Sequence, residues 1–262
     1  MWAATPVRVV NRLIEGLPRK ERDRILERCE PVDLVFGANL CEPDQPYRHV
    51  YFPLSGFISL VAIVGSHQPL EMGLIGNEGM LGVTLVLGVN TVPLRGVVQG
   101  SGTALRMTAP QLRRESRDSM ALLHALNRYL YVWMAHLSQT ACCNRFHEVE
   151  ARLARWLLMT QDRAHADHFH VTHQFLADMV GVQRSAVTIA AGALKKRQLI
   201  RYSRGDISIL DRRGLEAASC ECYHAVIEDY TQLFGDVHPE PTHLTQHPGH
   251  MKTPPGLAGG AG

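Results

Sequence analysis

Three hydrophobic patterns succeed one another along the 262 residues. Over residues 7–28, Leu13, Ile14, Leu17, Ile25 and Leu26 form an apolar stripe at helical spacing, broken by Gly16 and Pro18. This predicts two short helices. From residue 32 to 107 the character changes to short apolar runs, at 33–36, 49–52, 57–64, 70–75, 94–99 and 103–107. Glycine and proline separate them, which predicts a β-roll or sandwich, with Gly56, Gly73, Gly76, Gly79, Gly82 and Gly88 at turns or close backbone approaches. After Pro110, the residues Leu112, Leu122, Leu123, Leu126, Tyr129, Leu130, Trp133 and Leu137 recur at helical intervals and predict a long amphipathic helix. A roll covers one side of such a helix, so the other apolar seam predicts pairing with a second copy in a symmetric dimer.

A second helix is predicted over 145–161, carrying Phe146, Val149, Leu153, Trp156, Leu157 and Leu158. His165, Asp167, His168 and His170 follow, and their alternation fits a short polar strand better than a metal site. The stretch 172–191 then has the pattern of a helix-turn-helix. Thr172 caps a first helix with Phe175, Leu176, Met179 and Val180 on one face, and Gly181 makes the turn. The second helix begins near Gln183, and Ala177, Gly181, Val187 and Ala190 interlock the pair. Two apolar runs, 199–202 and 206–210, flank Ser203, Arg204 and Gly205 as the hairpin of a wing. A closing helix is predicted over 213–234, and the tail from Asp236, rich in Pro, Gly and His, is predicted to be disordered.

Composition narrows the function classes. The formal net charge is only +2, but eight basic residues against three acidic ones between Thr172 and Arg213 give that region a net of +5. A basic surface coinciding with a helix-turn-helix points to double-stranded DNA. The outward positions Gln183, Arg184, Ser185 and Thr188 suit base edges and phosphates, with Thr172, Gln174, Lys195, Arg201 and Arg204 beside them. No leader peptide and no apolar run of membrane-spanning length are seen, so a cytoplasmic protein with no membrane partner is expected. The six cysteines, including the adjacent Cys142 and Cys143 and the pair Cys220 and Cys222, lack the spacing of a zinc or disulfide framework. No metal site and no cofactor are expected. No nucleophile–base pair, metal triad or phosphate loop is present, so an enzyme is not expected.

In this order and at this length, the chain resembles the Crp/Fnr family of bacterial transcription regulators. The resemblance rests on Thr172-His-Gln, on the run from Val180 through Gln183, Arg184, Ser185 and Ala186 to Val187, on Leu199-Ile200, and on Ile75-Gly-Asn-Glu-Gly-Met-Leu-Gly82. It implies an α+β fold: an N-terminal β-roll of the cyclic-nucleotide-binding kind (1–110), a central dimerisation helix (111–143), a winged helix-turn-helix (144–235) and a tail (236–262). It also implies a homodimer on a palindromic promoter site, with RNA polymerase and a small-molecule effector as partners. Arg184 occupies the slot of the family's guanine-reading arginine, whereas Ser185 and Ile189 depart from the family's other two readers. The family's cyclic-AMP binders use a Gly-Glu-Leu-Gly segment followed by an Arg-Ser pair. Here the segment is Gly79, Met80, Leu81 and Gly82, and Arg95 lies out of register, so the expected effector differs from cyclic AMP or is absent. The alternative reading is a small-ligand sensor whose C-terminal unit contacts protein.

Overall fold

A computed structural model describes residues 11–65, 68–203 and 205–235; the tail and residues 1–10 lie outside them. Two short helices open the fold, α1 (Arg12–Glu15) and α2 (Arg19–Arg28). Buried Asn11 caps α1 by accepting from Ile14 N, while its amide donates to Pro53 O and Gly79 O at 3.1 and 2.8 Å. One polar side chain thereby fastens the entry helix to the roll.

The roll contains β1 (Glu30–Leu34), β2 (Asn39–Cys41), β3 (His49–Pro53), β4 (Phe57–Ala62), β5 (Leu70–Ile75), β6 (Leu94–Gly100) and β7 (Gly102–Thr108). They form two antiparallel sheets, ordered β1-β7-β3 and β2-β6-β4-β5. The apolar runs of the sequence mark six of these seven strands, with one shift, and miss the short β2. The run at 33–36 was expected to be a strand, but the strand ends at Leu34, and Val35 and Phe36 are exposed beside the left-handed turn at Gly37.

Thr108 and Gln111 form a reciprocal capping box that starts α3 (Ala109–Asp118). The single long helix expected after Pro110 is interrupted. Ser119 is extended, and its hydroxyl accepts from Leu122 N at 3.0 Å to start a separate helix, α4 (Met120–Phe146). Leu122, Leu126, Tyr129, Val132 and Trp133 of α4 bury against the roll. The next helix, α5 (Val149–Ala164), begins later than expected, and Phe146 ends α4 as an exposed side chain.

The C-terminal unit has β8 (His168–His170), α6 (His173–Val180), α7 (Arg184–Lys196), β9 (Ile200–Ser203) and β10 (Asp206–Ile209). Its sheet is ordered β8-β10-β9. His168 and His170 stand in the strand expected of them, with His170 Nδ1 2.9 Å from Asp206. The single closing helix expected over 213–234 is two, α8 (Arg212–Ala218) and α9 (Cys222–Phe234). At the break, Cys220 and Cys222 meet Cys143 and His147 from the end of α4, so these thiols are not the scattered set that spacing implied.

The roll and the C-terminal unit share a core and two buried carboxylates. Phe57 and Leu74 of the roll belong to the hydrophobic cluster around α5, α6 and α7. Glu71 accepts from Ser59 Oγ at 2.5 Å and from Trp156 Nε1 of α5 at 2.9 Å. Glu78 pairs with Arg163 of α5 at 2.8 Å, and Tyr230 of α9 donates to the Glu78 carbonyl at 2.8 Å. Burial outweighs the Ser59 and Trp156 bonds and the nearby Arg163 and Arg155 charges, so the Glu71 carboxyl is pushed up to about 7.

The folded protein therefore keeps a proton on Glu71 in a window where the unfolded chain has released it. The stability this contributes is full below the ordinary carboxylate range and is lost as pH rises to about 7. Glu71→Gln, which keeps an acceptor oxygen and cannot ionise, should remove this slope. Denaturant unfolding at pH 5 and pH 8 should show the variant gaining on wild type by on the order of 3 kcal/mol. Parallel pH dependences of the two proteins would show that Glu71 is not the titrating group.

Candidate nucleic-acid interface

The geometry of the interface starts from two local signals. Thr172 Oγ1 accepts from Phe175 N at 3.1 Å and sets the start of α6. Gly181 closes that helix in the left-handed region, at φ 69°, a conformation glycine adopts without strain. A side chain here would also strike Leu70 of β5, so the turn lies directly against the roll. Leu176, Ala177, Val187 and Ala190 are buried between the two helices. Arg152 of α5 donates to Val180 O and to Asn144 at 2.7 Å, satisfying the end of α6.

With the inner face buried, the start of α7 is left uncovered. Gln183 is the N-cap and makes no side-chain capping bond, and Arg184 and Ser185 follow it, all three exposed. Ile189, 75% exposed, stands on the same outer face. Thr172 and Gln174 are exposed at the start of α6, with Gln174 Nε2 donating to Asp178 at 2.9 Å. Thr188 is drawn partly inward: its hydroxyl is 2.9 Å from His173 Nδ1 and donates to the Arg184 carbonyl at 3.0 Å. Lys195 Nζ donates to the Tyr202 carbonyl at 3.3 Å and ties α7 to β9, where Arg201 is exposed. Arg204 lies outside the described residues.

Charge is distributed more narrowly than a count along the chain implies. Arg197 pairs with Glu150 at 2.9 Å. Arg212 is enclosed by Asp162, Glu216, Gln161 and Tyr223, with contacts of 2.6–2.9 Å. Both arginines hold α5 against its neighbours. Among the described residues of this region, the basic side chains outside any ion pair are Arg184, Lys195, Lys196, Arg201 and Arg213.

Two residues that sequence reasoning passed over organise this surface. The rings of His173 and Tyr202 stack at 4.3 Å with 12° between their planes, joining α6 to the wing. Burial, with Arg184 beside it, pushes the His173 ring below its ordinary value and favours the neutral form. Its position directly after the Thr172 cap was the available signal.

The residues expected around an effector occupy a different setting. Met80 and Leu81 are 0% exposed, and Leu81 exchanges backbone hydrogen bonds with Tyr51. Gly79 is so close to the Tyr129 phenol of α4 that a methyl group there would collide with it. Arg95, in β6, pairs with Glu42 at 2.9 Å. Gly79, Met80, Leu81 and Gly82 thus form a packed turn under the long helix, and Arg95 already has a carboxylate partner.

Among the described residues, no helix is long and apolar enough to cross a membrane. Residues 151–218 match the family model of the Crp-like helix-turn-helix domain. No curated protein sequence matches the chain. Solved structures of the same fold include CLP, the c-di-GMP responsive global regulator of Xanthomonas campestris. It is 17% identical, with a TM-score of 0.61 over 73% of this chain and 99% of that one. FixK2 of Bradyrhizobium japonicum is 13% identical, with a TM-score of 0.62 over 73% and 98% of the two chains. A CRP-family transcriptional regulator of Thermus thermophilus is 16% identical, with a TM-score of 0.59 over 72% and 96%. Residues 151–218 are thus a Crp-like helix-turn-helix domain, and the chain as a whole shares the fold of these solved regulators.

Proposed function

We propose that two copies of this cytoplasmic protein pair along α4 and present their α7 helices to a palindromic promoter site, under an effector other than cyclic AMP or none. The observation that carries this reading is the uncovered start of α7, where Gln183, Arg184 and Ser185 project from a helix whose other side is buried. Successive major grooves lie about 34 Å apart on one face of the duplex, so a two-fold dimer matches a two-fold site. Arg184 is free to donate both guanidinium edges to a guanine. Ile189 offers an apolar surface to a thymine methyl in place of the family's charged reader. Bound at a promoter, the dimer has RNA polymerase as its further partner.

The pairing surface is the outer face of α4. Leu123, Asn127, Leu130, Met134, Leu137 and Ala141 follow one another at alternating steps of four and three residues, the spacing of a two-helix seam. None of them is fully buried, and Met134 is 60% exposed. Against cyclic AMP stand Met80, which cannot accept the ribose hydroxyl, and Arg95, already paired with Glu42. An unneutralised phosphate at the packed turn would cost several kcal/mol.

Arg184→Ala should weaken promoter binding by about 1–3 kcal/mol and relax specificity at one base pair of each half-site. Competitive binding to the protein's own promoter and to single-base variants measures both effects, and an unaltered footprint and affinity would refute the role of Arg184. Met134→Lys places a charge in the seam without touching the roll. Light scattering should then report a monomer, with promoter affinity falling by at least tenfold; a dimer that persists would move the interface elsewhere.

A further inference from the structure

Where the end of α4 meets the break between α8 and α9, four potential metal ligands converge. The sulfurs of Cys143, Cys220 and Cys222 and a ring nitrogen of His147 all lie within 4.8 Å of one another. The three cysteines are buried. Cys143 Sγ is 3.5 Å from Cys220 Sγ, and Cys222 Sγ is 3.4 Å from His147 Nδ1. A tetrahedral zinc ion, with bonds of about 2.3 Å to sulfur and about 2.0–2.1 Å to nitrogen, separates two sulfurs by about 3.8 Å and a sulfur from a nitrogen by about 3.5 Å. The Cys143–Cys220 and Cys222–His147 spacings match these to within tenths of an ångström, and since no ligand pair exceeds 4.8 Å, the set closes on such an ion with shifts of no more than about 1 Å.

We propose that Cys143, His147, Cys220 and Cys222 form a four-ligand Cys3His site for zinc or a similar borderline-soft divalent ion. The surroundings are those of a metal site rather than of a chance cluster of thiols. His147 turns Nδ1 to the sulfurs and holds Nε2 3.0 Å from the Glu221 carboxylate, the arrangement that fixes the tautomer and orientation of a metal-ligating histidine. Gln139 Nε2 donates to Cys222 Sγ at 2.9 Å, which suits a thiolate acceptor. Three thiolates around a divalent cation leave one negative charge. Arg155 is buried close enough for its charge to act on Cys143, and its Nε finds no hydrogen-bond partner among the described residues. That buried cation is the counter-charge the complex needs.

Four protein ligands leave no open position, so the ion serves structure rather than catalysis. It would clamp the last turn of α4 to the start of α9, elements whose ligands lie 77 residues apart in the chain, and so fix the DNA-binding unit on the long helix. A Cys143–Cys220 disulfide is the competing chemistry, but it would leave Cys222, His147 and the oriented Glu221 without a role.

The test uses the full chain, purified anaerobically without chelator. Elemental analysis should find stoichiometric zinc, and exchange for Co2+ should produce thiolate-to-cobalt charge transfer with the intense visible bands of a tetrahedral site. Cys222→Ser and His147→Ala should lose the stoichiometric metal, whereas Cys142→Ser, at the exposed neighbouring thiol, should retain it. Glu221→Gln, at an exposed side chain, should weaken metal affinity roughly 10–100-fold in competition with a chromophoric chelator. If a ligand variant fails to fold, the wild-type cobalt spectrum decides. Substoichiometric zinc, combined with a reduced protein that shows no charge-transfer band on cobalt titration, would overturn the site. So would a Cys143–Cys220 disulfide found in place of the metal complex.

Discussion

The close approach of α4 to the roll is the constraint from which the remaining geometry follows. It depends on backbone without side chains. Trp133 lies over Gly73, where an added carbon would come within 2.7 Å of the indole, and Tyr129 lies over Gly79. Large aromatic side chains bury roughly 150–250 Å² each and dominate such contacts, but only where the opposing surface lets them in. These two glycines set the distance and direction of the long helix. Its opposite face then points away from the roll, and its last turn arrives beside the break between α8 and α9.

A second joint controls how the C-terminal unit is turned. Glu71 and Glu78 on the roll meet Trp156 and Arg163 on α5 in a largely water-free setting. Buried charges contribute little net stability compared with apolar packing of the same shape, because desolvation offsets their attraction. Their value lies in geometry, since a rotated α5 would strand an ionised group with no partner. The apolar cluster shared by Phe57, Leu74 and the helix-turn-helix supplies the cohesion, and the polar pairs select one orientation of it.

Local signals in the sequence were legible and long-range ones were not. Thr172 and Gly181 delimit α6 because a capping hydroxyl and a left-handed turn are properties of a few adjacent residues. Most of the roll's strands follow their apolar runs for the same reason, whereas the three-residue β2 is too short to show a pattern. The break at Ser119 is hidden in the sequence because the leucine spacing carries on through it, while one hydroxyl is enough to end α3 and cap α4. Arg197 and Arg212 count toward a basic face on charge alone. Their partners, Glu150 and Asp162, lie about fifty residues earlier, where no periodicity points to them. Within the candidate interface, Arg184 is identifiable from its place after the turn, but the inward bond of Thr188 to His173 needs the folded arrangement. The cysteines present the extreme case: Cys143 and His147 stand four residues apart, a spacing that sets two ligands on one side of a helix, but Cys220, which completes the set with Cys222, lies 77 residues further on.

The stack of His173 on Tyr202, with Thr188 hydrogen-bonded to the same imidazole, joins the two motif helices and the wing through one ring. Three pieces of surface that touch a ligand separately would each lose motional freedom on contact. Joined beforehand, they lose it once, during folding, and the entropic cost of association falls mainly on solvent and partner. A neutral, half-buried imidazole suits this task because it packs as an aromatic ring and bonds as a polar group without carrying charge. The two helices and the wing strand are therefore already connected to one another before anything binds to them.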